Sequence, residues 1–289
     1  MTNQMPSTRR CTTAIVQTAI PLLFFCVACA PVLTGRTVYA QEGQEQSPNL
    51  SFPTPSTTGT FGVKSAGALN EVVAHIQAVS ANGWQDLEGQ GTMTFPAGDT
   101  HQASLYLLRS AYTRLDVVMD SGTRSLRVQN YSGKHLDENG NQGSLPLATA
   151  STGVVAFSRV WSDAVSSPRV SLFDQGLYTG TGQNLHRITM EYQCGGSSQS
   201  GAAALTTDIA TDLYFDPNTH LLLFSVDNVQ FMNSAVNFSR VTSYSAYQQF
   251  NGTLVPTLLS QTMNGQSVWT LQLNQITINT NPPTSTFSF

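Results

Sequence analysis

The chain has 289 residues, a formal net charge of −4, and charged side chains at only 10% of its positions. Soluble domains ordinarily carry about 25%; here Ser, Thr, Asn and Gln fill the difference. No Lys/Arg cluster is present to neutralise phosphates, so composition argues against nucleic acid and against an anionic membrane surface as partners.

Residues 1–40 read as a targeting segment. Arg9 and Arg10 form a positive start, Cys11 to Leu33 is apolar and uncharged, and Val38-Tyr39-Ala40 before Gln41 fits a small-residue cleavage site. Removal after Ala40, giving a periplasmic or otherwise exported protein, is the favoured reading. Two others stand beside it. Cys26-Val27-Ala28-Cys29 allows a lipoprotein modified at Cys29, and the apolar run is long enough to stay as an anchor, weakened by Pro21 and Pro31. Three of the four cysteines lie in this segment. Cys194 is left in a Gly/Ser-rich stretch as a loop thiol, and the fold rests on no internal disulfide.

Residues 41–64, rich in Gln, Ser, Pro and Thr, read as a flexible linker to a single domain over 65–289. Leu69, Val72, Val73, Ile76 and Val79 recur every three or four residues, which predicts an amphipathic helix over Ser65 to Ala81 that Asn82-Gly83 ends. From Trp84 the period becomes two. Gly89 to Phe95 and Gln102 to Arg109 flank a turn at Pro96 to Asp99 and predict a hairpin. In the next strand Leu115, Val117 and Met119 face one way, Arg114, Asp116 and Asp120 the other, and Ser121-Gly122 turns the chain into Leu126 and Val128.

Leu145 to Ser166 breaks the series. Val154, Val155, Phe157, Val160 and Trp161 predict a second amphipathic helix. Strands resume at 170–173, 185–193, 209–215, 221–231, 236–250, 253–263 and 267–278, with turns at Asp216 to Thr219 and Asn264-Gly265. Many strands and two helices predict an α+β, mainly β chain with one large antiparallel sheet.

This order resembles the outer-membrane lipoprotein carrier (LolA-like) family. The resemblance rests on Glu88-Gly89-Gln90-Gly91, on Leu105-Tyr106-Leu107-Leu108-Arg109 followed by the alternating Tyr112 to Met119 and its Ser121-Gly122 turn, and on Phe215-Asp216-Pro217-Asn218-Thr219-His220-Leu221, with His220 in place of the family's Gly. Tyr244 to Pro256 resembles its tyrosine-bearing strand and the turn after it. The resemblance implies a half-open antiparallel β-barrel closed by helices and a non-enzymatic carrier of acyl chains, lipid or lipoprotein in a concave β cavity. It implies Arg109 as the lid latch, bonding the helices over the mouth. Ligand contacts would be Leu105, Leu107, Leu115, Val117 and Met119 on the sheet, with Val154, Phe157 and Trp161 on the lid. An envelope protein-interaction scaffold without lipid cargo is the alternative. The protein is expected as a monomer without cofactor.

No catalytic motif stands out. His75, His101, His135, His186 and His220 are scattered without ligand spacing, so no metal site is expected. The carboxylate pairs Asp137–Glu138 and Asp208–Asp212 read as solvated turn charges. Thr286-Phe287-Ser288-Phe289 is similar to the last strand of an outer-membrane barrel, but Pro282-Pro283 would interrupt such a strand.

Overall fold

A computed structural model describes residues 51–60, 62–109, 112–129, 132–146, 149, 154–194, 207–230 and 237–288. The targeting segment and the stretch around the Gly/Ser-rich 195–206 lie outside them. Helix α1 is Ala66–Ala78. Six strands follow: β1 (Asp86–Thr94), β2 (Thr100–Leu108), β3 (Tyr112–Met119), β4 (Gly122–Gln129), β5 (Ser132–Leu136) and β6 (Gln142–Ser144). Helix α2 is Ala156–Ser162. Seven more strands complete the chain: β7 (Val170–Tyr178), β8 (Leu185–Cys194), β9 (Thr207–Phe215), β10 (Leu222–Gln230), β11 (Asn237–Phe250), β12 (Thr253–Met263) and β13 (Gln266–Ile278). Cys194 thus ends a strand.

The strands form one antiparallel sheet in the order β6-β5-β4-β3-β2-β1-β13-β12-β11-β10-β9-β8-β7. The expected α+β, mainly β architecture is observed, as an open antiparallel sheet with α1 and α2 packed on it. It consists of two meanders, β1 to β6 and β7 to β13, joined where β1 pairs with β13. Gly91 sits at a bulge in that seam. A Cβ there would lie 1.9 Å from the Gln272 carbonyl oxygen, so only glycine lets the two backbones meet.

This topology places the second helix. The chain leaves the first meander at one edge, β6, and enters the second at the other, β7. The connection must cross the sheet, and it carries α2 over the inner face. Flat, β3 and β8 would stand about 38 Å apart, at ~4.8 Å per strand. Yet Leu115 and Val117 of β3 and Met190 and Tyr192 of β8 belong to one buried cluster with both helices between them. The sheet therefore curls around its helices.

Three local expectations are corrected. α1 ends at Ala78, not at Asn82-Gly83, because Ser80 already takes the left-handed conformation at φ 54° and Asn82-Gly83 falls in a 3-10 turn. Within the helix expected over 145–166, Ala156–Ser162 is helical while 154–155 and 163–166 are not, and 147–148 and 150–153 lie outside the described residues. Finally, 284–287 is a 3-10 turn and not a terminal strand.

Segments flanking the sheet in sequence, 51–60 and 284–288, pack on the two flanks of its outer face. Residues 51–60, inside the expected linker, have fixed partners. Phe52 packs on Tyr178, Tyr214 and Phe224 with centroids 4.7–5.9 Å apart, and Thr58 donates its N–H to Glu191 Oε1 at 2.7 Å. At the other flank Phe287 packs edge-on against Tyr112, and Arg114 Nη1 donates to the Thr286 carbonyl at 2.7 Å.

Candidate functional site

The inner face begins with register. Leu105 of β2 pairs directly with Leu115 of β3, and Ala103 with Val117. Alternation sends these side chains, with Leu107, to one side. Their exposure runs from 0% at Leu105 and Leu107 to 6% at Val117. Val154, Phe157 and Trp161 close over the same cluster, and Met119 packs against its margin half-buried. The eight apolar residues singled out from sequence therefore come together in one cluster.

Hydrogen bonds and ring contacts hold α2 there. The first residues of a helix have N–H groups with no partner inside the helix. That of Ala156 donates to Tyr244 Oη of β11 at 3.0 Å, and Tyr244 Oη also bonds Ser225 Oγ at 2.9 Å. The Val154 N–H reaches Thr113 Oγ1 at 3.4 Å, and Trp161 Nε1 donates to His75 Nε2 of α1 at 3.0 Å. Phe157 and Trp161 add edge contacts to Tyr244 and Trp84, at 5.8 and 5.6 Å. Burial pushes the Tyr244 hydroxyl up to about 12, so it stays a neutral acceptor for the helix.

Arg109 lies just past the end of β2 and is exposed. Its main-chain N–H bonds the Gln85 carbonyl at 2.7 Å, and Nη1 reaches the Trp84 carbonyl at 3.4 Å. Those acceptors belong to the connection between the 3-10 turn and β1. Among the partners that hold α2 and its N-terminal flank are Tyr244, Thr113 and His75.

Three of the five scattered histidines converge on α1. Glu71, buried one turn before His75, places Oε2 at 2.9 Å from His186 Nδ1 and Oε1 at 3.0 Å from His220 Nδ1. His186 Nε2 meets Asp174 Oδ1 at 2.9 Å. Both ring nitrogens of His186 thus donate to carboxylates, which makes it an imidazolium. Burial opposes that charge, but the Glu71 and Asp174 carboxylates outweigh burial and raise its pKa. The donor sets are spent on one another, and no group of three or more His, Cys, Asp or Glu among the described residues could hold a metal ion.

One end of the inner face is polar. Asp227 of β10 and Arg240 of β11 form a buried, doubly bonded ion pair, and Arg240 Nη1 also donates to Thr149 Oγ1 at 2.9 Å. Gln261 Nε2 reaches Thr242 Oγ1 nearby at 3.3 Å. Arg240, Thr242 and Tyr244 alternate along one strand, but a polar alternation in sequence looks the same whether it faces water or a core. Of the carboxylates read as solvated, Asp137 is half-buried and accepts the N–H groups of Asn139 and Asn141 in its own turn. Glu138 pairs with Arg124 at 2.5 Å. Asp212 corrects that reading. It is wholly buried on the outer face, held by Arg187 Nε and Nη2 at 2.9 and 2.6 Å and by Thr189 Oγ1 at 2.6 Å.

No family model and no curated protein matches the chain. Among solved structures it is similar to LolA superfamily protein NE2245 from Nitrosomonas europaea. The TM-score is 0.47 at 10% identity, over 77% of this chain and 97% of that one. It is also similar to a DUF1329 family protein from Desulfovibrio piger ATCC 29098, with a TM-score of 0.49 at 9% identity over 78% and 98%. The fold class rests on the strand order itself. No helix among the described residues is long and apolar enough to cross a membrane.

Proposed function

We propose that this chain is an exported, non-enzymatic carrier or binder of an apolar ligand, an acyl chain, lipid or lipoprotein, held on the concave β face. One observation carries the reading. The apolar face of β2 and β3 is covered by a helix of only seven residues. A helix that short has no stability of its own in water, so its place depends on its tertiary contacts, among them those of Val154, Ala156, Phe157, Val160 and Trp161. Moving it aside would offer Leu105, Leu107, Leu115, Val117 and Met119 to a cargo. Each CH₂ of an acyl chain buried there contributes ~0.8 kcal/mol, which can offset the lost burial of Phe157 and Trp161. Export, with residues 1–40 removed after Ala40, belongs to the same proposal. So does a monomer whose domain runs over 65–289 with 51–60 docked upon it.

The closed packing of the inner face favours a second reading, an envelope scaffold that binds a protein partner and carries no lipid. Mass spectrometry of an organic extract of the purified protein, set against an unrelated exported protein from the same host, separates the two. A lipid enriched near one-to-one names the cargo class. No enrichment, together with no uptake of a fluorescent fatty acid, removes the carrier reading. Val117→Glu should abolish such uptake; normal uptake by that variant would show that the ligand sits elsewhere.

A further inference from the structure

We propose that His75 is an acid-sensitive latch: its hydrogen bond with Trp161 holds α2 in the concavity, and protonation of His75 frees the helix. The proposal takes its purpose from the carrier reading, but the bond exists without any cargo.

The roles of donor and acceptor fix the chemistry. An indole N–H can only donate, so His75 Nε2 accepts from Trp161. The ring proton is then on Nδ1, which donates to the His220 carbonyl at 2.8 Å. Both nitrogens are satisfied only by the neutral ring. A second proton, on Nε2, would point one donor at another and break the link between α1 and α2. His220 is built into this arrangement. It takes φ 56°, a left-handed conformation uncommon outside glycine. In that conformation its carbonyl reaches His75 while its ring reaches Glu71.

The surroundings give a charged His75 little relief. On α1 the nearest charge is Glu71, already engaged by His186 of β8 and by His220 of the β9–β10 turn. In that turn Asp216 accepts the N–H groups of Asn218 and Thr219. Asp174 of β7 is engaged by His186, and Asp163, just past α2, lies 3.3 Å from Arg159. The Phe215 ring lies 5.2 Å from the imidazole. Burial drives the His75 pKa down from 6.5 to about 4, against the opposing pull of the His220 carbonyl and the Glu71 carboxylate.

The sign follows by linkage. A histidine with a depressed pKa in the closed state contributes fully above about 6.5, and its contribution is lost as pH falls toward 4. His186 works in the opposite sense. Its raised pKa makes its contribution complete below 6.5 and lost on the alkaline side, so it cannot cause opening in acid.

The test is hydrogen exchange of the α2 amides and the Trp161 indole N–H in the purified protein, without cargo, corrected for intrinsic exchange. The open-to-closed ratio should rise roughly 50-fold from about pH 7 to about pH 4.5, for a pKa of 4 closed and 6.5 open. His75→Gln keeps an acceptor for Trp161 but does not titrate, and its exchange should be flat over this range. If that variant does not fold, Trp161→Phe should already be open near neutral pH and lack the acid response. A flat wild-type profile overturns the latch, as does either variant keeping the full acid response. Because no ligand is present, those results leave the carrier reading untouched; a failed lipid extraction likewise leaves the latch untouched.

Discussion

The two meanders of the sheet are built differently. In β2 and β3 of the first, the alternation is clean. Leu105, Leu107, Leu115 and Val117 are buried inside, while Arg114 and Asp116 are partly exposed outside. In the second, Ile209 to Phe215 of β9 are buried on both faces, and charges are buried with them as the Arg187–Asp212 and Arg240–Asp227 pairs. The first meander supplies an apolar wall. The second supplies fixtures, among them Tyr244, the His220 carbonyl and Glu71's partner His186, that position the helices over that wall.

The largest test of this contrast is Asp227→Ala. It leaves the Arg240 guanidinium buried without its carboxylate, and should cost about 3–5 kcal/mol of stability in a urea titration. Arg114→Ala, which breaks a partly exposed pair with Asp116 and the bond to the Thr286 carbonyl, should cost less, about 1–2 kcal/mol. Equal losses would erase the distinction between the halves. A smaller effect is expected of Tyr244→Phe, which removes the acceptor for the Ala156 N–H and the partner of Ser225. The expected loss is about 1–3 kcal/mol, with faster exchange in α2. Destabilisation with unchanged α2 exchange would detach Tyr244 from the helix. The smallest effect belongs to Arg109→Leu, which loses one long bond from an exposed side chain, and should change stability by no more than about 0.5 kcal/mol. A marked rise in α2 exchange would instead make Arg109 a second latch.

Most strands were legible in the sequence because each is punctuated. Asp216-Pro217-Asn218-Thr219 and Asn264-Gly265 mark turns by their own backbone chemistry, and β10 to β13 begin and end within a residue or so of the expected positions. The apolar wall was legible too, since a period of two sorts Leu115 and Val117 from Arg114 and Asp116 without knowledge of their neighbours. The fixtures were not. His75, His186 and His220 are separated by 111 and 34 positions, and no local pattern announces that all three meet near Glu71. Asp212 looked solvated because a buried, paired carboxylate and a free one are the same letter.

By itself, then, the sequence determined the periods: an amphipathic first helix, a run of antiparallel strands, and a face of Leu and Val opposite a face of charge. These follow from residues two to four positions apart, where side-chain direction is set by local backbone geometry. Only the tertiary structure decided that β1 pairs with β13, that the β6 to β7 connection must therefore carry α2 across the inner face, and that its Trp161 meets a neutral His75. Those outcomes depend on pairings between residues many tens of positions apart. They are set by which edges and donors remain unsatisfied once the local elements have formed.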